Sequence, residues 1–350
     1  MAVLVQSAVK PSDPGAKPVE GEGRATMAAD SAPGQCAIVI VGAGRSGTSA
    51  ITRGVQALGV ELGDHLRAGS GKNPTGFFED ERLLRINKRL KRLLRIRGDS
   101  VRLIEPDEWR RPAVRALQEE AIETVRSGFG RYPLWGYKYA RTLRLLPFWS
   151  EVFEALHLDV RYVVALRSPL SVARSRAKLD PRRGTQEQSD LEWLVNVVPY
   201  FAELRGRPFV VVDYDLVVEQ PARQLERVAA ILGLPISAQT EAAIQAYASQ
   251  FLRPGMRHTV FTDRDVHDDP RVNELTRDAY LWLRRLAADE GGANDPQLWE
   301  RWAEIERRLA AMAPVLRHLD RVQRDLRRAQ WDPFSSLRAA AEAWRRWRRG

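Results

Sequence analysis

The sequence CAIVIVGAGRSGTS occupies positions 36–49. Its first six residues are apolar and mostly β-branched, which predicts a fully buried strand in a parallel sheet. A helix is predicted next, from about Thr48 to Leu58. A glycine-rich turn between a strand and a helix N-terminus favours an anion, because unpaired backbone N–H groups and the helix dipole both point at it. The sequence therefore predicts a phosphate-binding loop at residues 42–49.

Outward from this loop, strand and helix patterns alternate along the chain. Predicted strands lie at 135–139, 161–166 and 209–212, and predicted helices at 80–97, 113–127 and 221–232, with another helix after Pro169. This alternation predicts an α/β protein in which helices flank a central parallel sheet, a three-layer P-loop-like fold.

The two ends of the chain differ in composition from this middle part. Residues 1–35 are rich in Pro, Gly, Ala and Ser and are predicted to form a disordered tail. The main domain is predicted over 36–265 and a helical C-terminal extension over 266–350.

Apolar residues in the extension recur at steps of three and four from Leu298 to Leu326, and Pro314 is predicted to split that helix. These helices either pack back on the domain or pair two copies as a homodimer. The sequence WRRWRR at 344–349 is either a frayed basic tail or a peripheral membrane contact.

The chain carries a net charge of +10, supplied almost entirely by arginine. Arginine suits phosphate and sulfate, although a codon bias explains the same excess and the charge identifies no partner. No nucleic-acid partner is expected. Cys36 is the single cysteine, so there is no internal disulfide and no Cys/His metal motif. The sequence contains no apolar run of about 18–20 residues that would span a bilayer. A cytoplasmic location is expected.

Three kinds of ligand fit the loop itself. Gly42, Gly44 and Gly47 match the dinucleotide pattern G-x-G-x-x-G, but the acid expected about 20 residues later has only Val60–Asp64 as a candidate, which is short and broken by glycine. Gly42 and Gly47 also have the spacing of a nucleoside-triphosphate P-loop, but Thr48 stands in the position of its lysine. The third ligand, a sulfo donor, is implied by a resemblance to a known family that the loop shares with a second motif.

A second motif favours the sulfo donor. Residues 163–175 read VVALRSPLSVARS, with Arg167 at the predicted strand end, Pro169 opening a helix and Ser175 two helical turns along it. Arginine in this place can donate two hydrogen bonds to phosphate oxygens. The two motifs together resemble those of the sulfotransferases that use 3′-phosphoadenosine 5′-phosphosulfate, and the resemblance covers roughly residues 36–260.

The resemblance implies a donor site. In that family the loop holds the 5′-phosphosulfate, and the strand-end arginine and helix serine hold the 3′-phosphate. The segment DYDL at 213–216 resembles one near the adenine, and the basic segment 253–258 is expected to add a 3′-phosphate contact. The implied donor-binding residues are Gly44, Arg45, Ser46, Gly47, Thr48, Ser49, Arg167, Ser175, Tyr214 and Arg257.

The resemblance also implies catalytic residues. NPTGFFE at 73–79, GYK at 136–138 and LLPFW at 145–149 are similar to family segments. Glu79 is the preferred general base, with Asp80 and His65 as alternatives. Arg45 and Lys138 are expected to stabilise the departing bisphosphate. The family often has Asp-Pro after this lysine, whereas this chain has Tyr-Ala, which weakens the assignment of Lys138.

The implied reaction moves a sulfo group from the donor to a hydroxyl of a glycan, a glycolipid or a secondary metabolite, and no metal is expected. Two hypotheses from other classes compete. One is a dinucleotide-dependent oxidoreductase, based on the three loop glycines. The other is a non-catalytic scaffold, based on the C-terminal apolar repeat and the basic tail.

Overall fold

The computed structural model describes residues 34–69, 76–252 and 259–331, together with residues 344, 345, 347 and 348. Most of the predicted tail over 1–35, part of the segment 73–79 and the basic segment 253–258 therefore lie outside the described residues.

A four-stranded sheet forms the centre of the protein. Its strands are β1 Cys36–Gly42, β2 Leu134–Lys138, β3 Asp159–Leu166 and β4 Phe209–Asp213. They lie in the order β2-β1-β3-β4, and every neighbouring pair is parallel. The predicted parallel sheet is confirmed, and each predicted strand is present within two residues of its expected bounds.

Fourteen α-helices occur among the described residues. They are α1 Thr48–Ala57, α2 Glu81–Leu93, α3 Pro106–Trp109, α4 Pro112–Phe129, α5 Leu146–Ala155, α6 Pro169–Ala177, α7 Gln186–Phe201, α8 Tyr214–Glu219, α9 Pro221–Leu232, α10 Ala238–Ala246, α11 Asp263–Asp268, α12 Glu274–Ala287, α13 Pro296–Ala311 and α14 Ala313–Trp331. Short 3₁₀ turns lie at Leu143–Leu145, Pro181–Gly184 and Ala202–Leu204, and a π-helical turn lies at Tyr247–Phe251.

Helices cover both faces of the sheet. Because side chains alternate along a strand, Val39 and Val41 of β1 face one apolar cluster and Ile38 and Ile40 face the other. The first cluster includes side chains of α2, α4, α5 and α7, and the second includes side chains of α1, α9 and α10. The three-layer α/β class is thus confirmed.

The C-terminal helices α12 and α13 belong to the first of these clusters. Trp282 and Trp302 lie with their ring centroids 5.4 Å and 4.7 Å from that of Phe201, beside the sheet. Helices α13 and α14 divide at Met312, next to Pro314, as predicted. Leu316 is buried, whereas Leu326 is 58% exposed, so only the first part of the apolar repeat joins the core. The expected homodimer stays a prediction.

No helix in the described part of the chain is both long enough and apolar enough to cross a bilayer.

A buried carboxyl on α7 makes stability depend on pH. Asp190 is fully buried, and it accepts hydrogen bonds from the backbone N–H of Asn273 at 2.8 Å and the side chain of Gln186 at 2.7 Å. Burial raises the pKa of Asp190 from 3.8 to about 7. The folded protein therefore keeps a proton that the unfolded chain loses near pH 4. Raising the pH from about 4 to about 7 then lowers the free energy of unfolding by about 1.4 kcal/mol per pH unit for each such group.

We expect Asp190→Asn to flatten this dependence between about pH 5 and pH 7. Burial raises the pKa of Glu203 to about 7 as well, so a smaller slope remains in the variant. Urea unfolding at several pH values measures the slope. Equal slopes for the variant and the parent protein would contradict the assignment of the proton to Asp190.

Candidate functional site

The crevice at the carboxyl ends of the strands is the candidate site. The chain passes from β1 to β2 on one side and later returns to β3 on the other side of β1. Ligands of open α/β sheets bind at such a switch point, because the loops after the two strands diverge there. A cavity of about 1040 Å³ lies here, lined by the loop after β1, the ends of β2 and β3, and the start of α8.

Two glycines fix the shape of the loop after β1. Gly42 has φ 143°, and a Cβ there would lie 2.6 Å from the carbonyl oxygen of Ala165 in β3. Gly47 has φ 78° and caps α1, and a Cβ there would lie 2.0 Å from the ring of Tyr214. Both positions need a left-handed backbone and close approach, which only glycine combines without strain. The loop thereby brings the N-terminus of α1 to the cavity.

Arg45 and Arg167 bring two positive charges to this end of the cavity. Arg45 donates from Nε to the hydroxyl of Ser175 at 2.9 Å, which joins the loop after β1 to helix α6. The guanidinium of Arg167 lies 4.5 Å from the ring centroid of Tyr214. Burial, and then the charge of Arg167, lower the pKa of Arg45. An anion between these two side chains would relieve their repulsion.

Buried polar atoms remain without partners around the same loops. Among the described residues, Arg167 Nε, Ser46 Oγ and Ser168 Oγ have no hydrogen-bond partner. Arg167 is only 7% exposed. A buried unpaired donor costs roughly 1–3 kcal/mol, more for a charged group. Arg167 therefore has donor capacity that a bound oxyanion would use.

Lys138 connects β2 to the phosphate loop. Its Nζ donates to Ser49 Oγ at 3.2 Å, to the carbonyl oxygen of Phe77 at 2.9 Å and to Glu79 Oε1 at 3.1 Å. Burial lowers the pKa of Lys138, and the neighbouring carboxylate of Glu79 opposes this effect. A lysine of the neighbouring strand thus contacts the loop, in which Thr48 stands at the lysine position of a nucleoside-triphosphate P-loop.

Glu79 lies beside Lys138 in the cavity wall. One carboxylate oxygen accepts from Lys138, and the other lies 3.7 Å from Arg67 NH1. Glu79 is 5% exposed and lines the cavity. Of the two alternatives, Asp80 caps α2 by accepting from the backbone N–H of Arg82 at 2.8 Å and pairs with that side chain. Neither Asp80 nor His65 is among the residues that line the cavity.

The structure brings most of the residues expected from the sequence together. The cavity is lined by Gly44, Arg45, Gly47, Thr48, Ser49, Glu79, Lys138, Arg167, Ser175 and Tyr214. Ser46 is completely buried and does not line it. Arg257 lies outside the described residues.

Further basic side chains line the same cavity and were missed from the sequence. They are Arg67, Lys88, Lys91, Arg141, Arg176 and Arg183. The spacing of Lys88 and Lys91, one and two turns after Leu84, was the available signal, because such residues share a helix face. The arginines carry no motif of their own, and only the fold brings them to the site.

The acid required by a dinucleotide site is not present at this loop. Residues 60–64 form no strand beyond an isolated bridge between Glu61 and Trp135. Asp64 is exposed, pairs with Arg131 and accepts from the hydroxyl of Tyr132 at 2.8 Å. The strand that pairs with β1 next to this segment is β2, and not a strand formed by residues 60–64. The oxidoreductase alternative is therefore not supported. In the described part of the chain, no three His, Cys, Asp or Glu side chains are placed to hold a metal ion.

No protein-family model and no curated protein matches the chain. Three similar solved structures are a sulfotransferase from Mycobacterium avium, the sulfotransferase domain of the curacin biosynthetic pathway, and the sulfotransferase domain of the Synechococcus PCC 7002 olefin synthase. Their sequence identities to this chain are 16%, 17% and 16%, and their TM-scores are 0.39, 0.36 and 0.37. The matches cover 63%, 59% and 81% of this chain, and 70%, 76% and 97% of the respective structures. Similarity this distant does not identify the activity of this chain. Any proposal about activity therefore rests on the geometry of the site.

Proposed function

We propose that this chain is a sulfotransferase that moves a sulfo group from 3′-phosphoadenosine 5′-phosphosulfate to an acceptor hydroxyl. The observation that supports this most strongly is the hydrogen bond between Arg45 and Ser175 at 2.9 Å, beside Arg167. It joins the loop after β1 to helix α6, the two segments that, by resemblance, hold the two phosphate ends of one donor. A ligand with two separate phosphate groups on one nucleoside matches that arrangement.

The proposed donor site has two parts, one at the loop after β1 and one at the end of β3 and helix α6. The backbone N–H groups of the loop and the start of α1, the hydroxyls of Thr48 and Ser49, and Arg45 hold the 5′-phosphosulfate, because a helix N-terminus and a guanidinium both favour an anion. Ser46 is buried, and its backbone N–H donates to the carbonyl oxygen of Ala43 at 3.2 Å, so it contributes to the shape of the loop. Arg167 and Ser175 hold the 3′-phosphate, and Tyr214 lies beside the adenine. Arg257 is proposed as a further 3′-phosphate contact.

The reaction is an in-line displacement at sulfur. A bond forms between the acceptor oxygen and sulfur while the bond from sulfur to the 5′-phosphate oxygen breaks, which leaves adenosine 3′,5′-bisphosphate and a sulfate ester. Negative charge grows on the departing phosphate oxygen. Arg45 and Lys138 are placed to stabilise that charge, and Lys138 already contacts the loop through Ser49 at 3.2 Å.

Glu79 is the proposed base that takes the acceptor proton. It is the acidic side chain of the cavity wall nearest to Lys138, at 3.1 Å, so proton removal and leaving-group stabilisation take place side by side. The ion pairs with Lys138 and Arg67 keep its carboxylate in position.

We expect Glu79→Gln to slow sulfo transfer by about 10²–10⁴-fold, because that is the usual contribution of a general base. Binding of adenosine 3′,5′-bisphosphate should change little. Asp80→Asn is the matched control, since asparagine also caps helices. Release of labelled sulfate from ³⁵S-labelled donor, with water as acceptor, measures the rate. A large loss in Asp80→Asn with normal activity in Glu79→Gln would move the base to Asp80.

The proposal as a whole is tested by donor turnover. Purified protein and ³⁵S-labelled donor are incubated with extracts of hydroxyl-bearing compounds, and the products are separated by chromatography. The proposal predicts labelled esters that Arg45→Ala and Arg167→Ala abolish. Oxidation or reduction of added nicotinamide cofactor, with no label transferred, would contradict it.

A further inference from the structure

Three basic side chains outside the proposed donor motifs line the same cavity. On α2, Leu84, Lys88 and Lys91 lie at positions i, i+4 and i+7, so they share one helix face, and all three line the cavity. Lys91 Nζ lies 5.8 Å from the ring centroid of Tyr139, which follows the end of β2. Arg141 comes two residues later and lines the same cavity.

These three cations have no acidic partner among the described residues. Arg141 NH2 donates only to the carbonyl oxygen of Gly98, at 2.9 Å. The acidic residues that line the cavity are Glu79 and Asp180. Glu79 pairs with Lys138. Asp180 caps the 3₁₀ turn at Pro181–Gly184 and forms no ion pair with any of the three cations in the described part of the chain. The basic wall, defined as Lys88, Lys91 and Arg141, is therefore not neutralised by the protein.

Two other arginines of the cavity wall share one carboxylate. Arg176 and Arg183 both pair with the buried carboxylate of Glu192, at 3.4 Å and 2.6 Å. On α2 itself, Arg89 pairs with Glu120 outside the cavity. The basic wall therefore adds positive charge to the cavity beyond that of the residues assigned to the donor.

We infer that the acceptor is itself an anion, carrying a sulfate, phosphate or carboxylate group that the basic wall binds while its hydroxyl lies near Glu79. This inference rests on the proposed sulfotransferase function. The cavity of about 1040 Å³ is at the upper end of the usual range of ligand sites, about 300–1000 Å³, so it has room for more than one nucleotide. Lysine suits such a role, because its flexible stem and three donors adapt to different oxyanions.

The test compares Lys88→Gln/Lys91→Gln with Arg85→Gln/Arg92→Gln. The control pair removes two charges from the same helix at exposed positions outside the cavity. Binding of adenosine 3′,5′-bisphosphate is measured first, and it should be equal in all three proteins. A failure of the parent protein to bind it would remove the proposed function, and is thereby distinguished from a failure of this inference.

With that nucleotide saturating, galactose, galactose 6-sulfate, galactose 6-phosphate and galacturonic acid are titrated by ligand-observed NMR. We expect one or more of the charged sugars to bind about tenfold more tightly than galactose, with the preferred sugar identifying the anionic group. Lys88→Gln/Lys91→Gln should abolish the preference, and Arg85→Gln/Arg92→Gln should keep it. Equal behaviour of charged and neutral sugars, or a preference that survives in Lys88→Gln/Lys91→Gln, would overturn the inference. Weaker nucleotide binding in that variant would assign the lysines to the donor and overturn it too.

Discussion

Replacement of Arg167 by alanine is expected to weaken binding of adenosine 3′,5′-bisphosphate by about 10²–10⁴-fold. Arg167 is buried beside Tyr214, and its Nε has no hydrogen-bond partner among the described residues. This N–H group is therefore available to donate to a bound phosphate. A hydrogen bond to a charged group contributes about 1.5–3 kcal/mol, and a guanidinium can make two to one phosphate. Isothermal titration calorimetry measures the affinity directly.

Arg223→Ala is the control for this variant. It removes the same charge from an exposed position on α9, where the side chain donates to Gln220 Oε1 at 3.0 Å and does not line the cavity. Adenosine 5′-phosphate supplies a second comparison, because it lacks the 3′-phosphate assigned to Arg167. The variant should lose most of the preference for the bisphosphate over the monophosphate. If both nucleotides weaken equally, Arg167 does not bind the 3′-phosphate.

Gly47→Ala is expected to lower the free energy of unfolding by about 2–5 kcal/mol and to abolish nucleotide binding. The left-handed backbone strains any residue with a Cβ by roughly 1–2 kcal/mol, and overpacking adds about 1–3 kcal/mol. The added Cβ would lie 2.0 Å from the ring of Tyr214, so either that ring or the loop must move. Chemical denaturation measures the loss of stability, and calorimetry measures the loss of binding.

Gly44→Ala is the matched change within the same loop. A Cβ at this position meets no protein atom within 4 Å, and the backbone is not left-handed. We expect the stability of this variant to equal that of the parent protein. A Gly47→Ala protein as stable as Gly44→Ala would show that the loop does not hold the shape described above.

The parts of the fold carried by local sequence could be predicted. The six apolar residues starting at Cys36 are short, mostly β-branched and followed by glycines, which together favour a buried strand over a helix. Pro221 opens α9 at the predicted residue, because proline is favoured in the first turn of a helix. Helix α2 instead ends at Leu93, four residues short of its predicted end, and its remaining arginines gave no stop signal.

The site was predictable only where one segment carried a motif. The loop and the stretch from Arg167 to Ser175 have recognisable spacing, yet their direct contact through Arg45 depends on the order of β1 and β3 in the sheet. Arg141 and Lys91 reach the cavity through the packing of β2 and α2. Single arginines in an arginine-rich chain carry no sign of which ones meet, so the place of Arg141 in the basic wall could not be predicted from the sequence. The helical spacing of Lys88 and Lys91 shows a shared face but not that this face lines the cavity.

The C-terminal apolar repeat shows a second reason why the sequence alone left an assignment open. An apolar stripe at steps of three and four fits either its own domain or a partner helix. The tryptophans of α12 and α13 pack against Phe201 beside the sheet. This part of the apolar stripe therefore belongs to the core of its own domain.

Calorimetric titration with adenosine 3′,5′-bisphosphate is the most direct test of the central claim that these two loops form a sulfo-donor site. Adenosine 5′-phosphate, ATP and NAD are titrated in parallel. The account predicts one site per chain with micromolar affinity for the bisphosphate, at least about tenfold tighter than for the other three nucleotides. Equal or tighter binding of ATP or NAD, or no binding of the bisphosphate to folded protein, would contradict it.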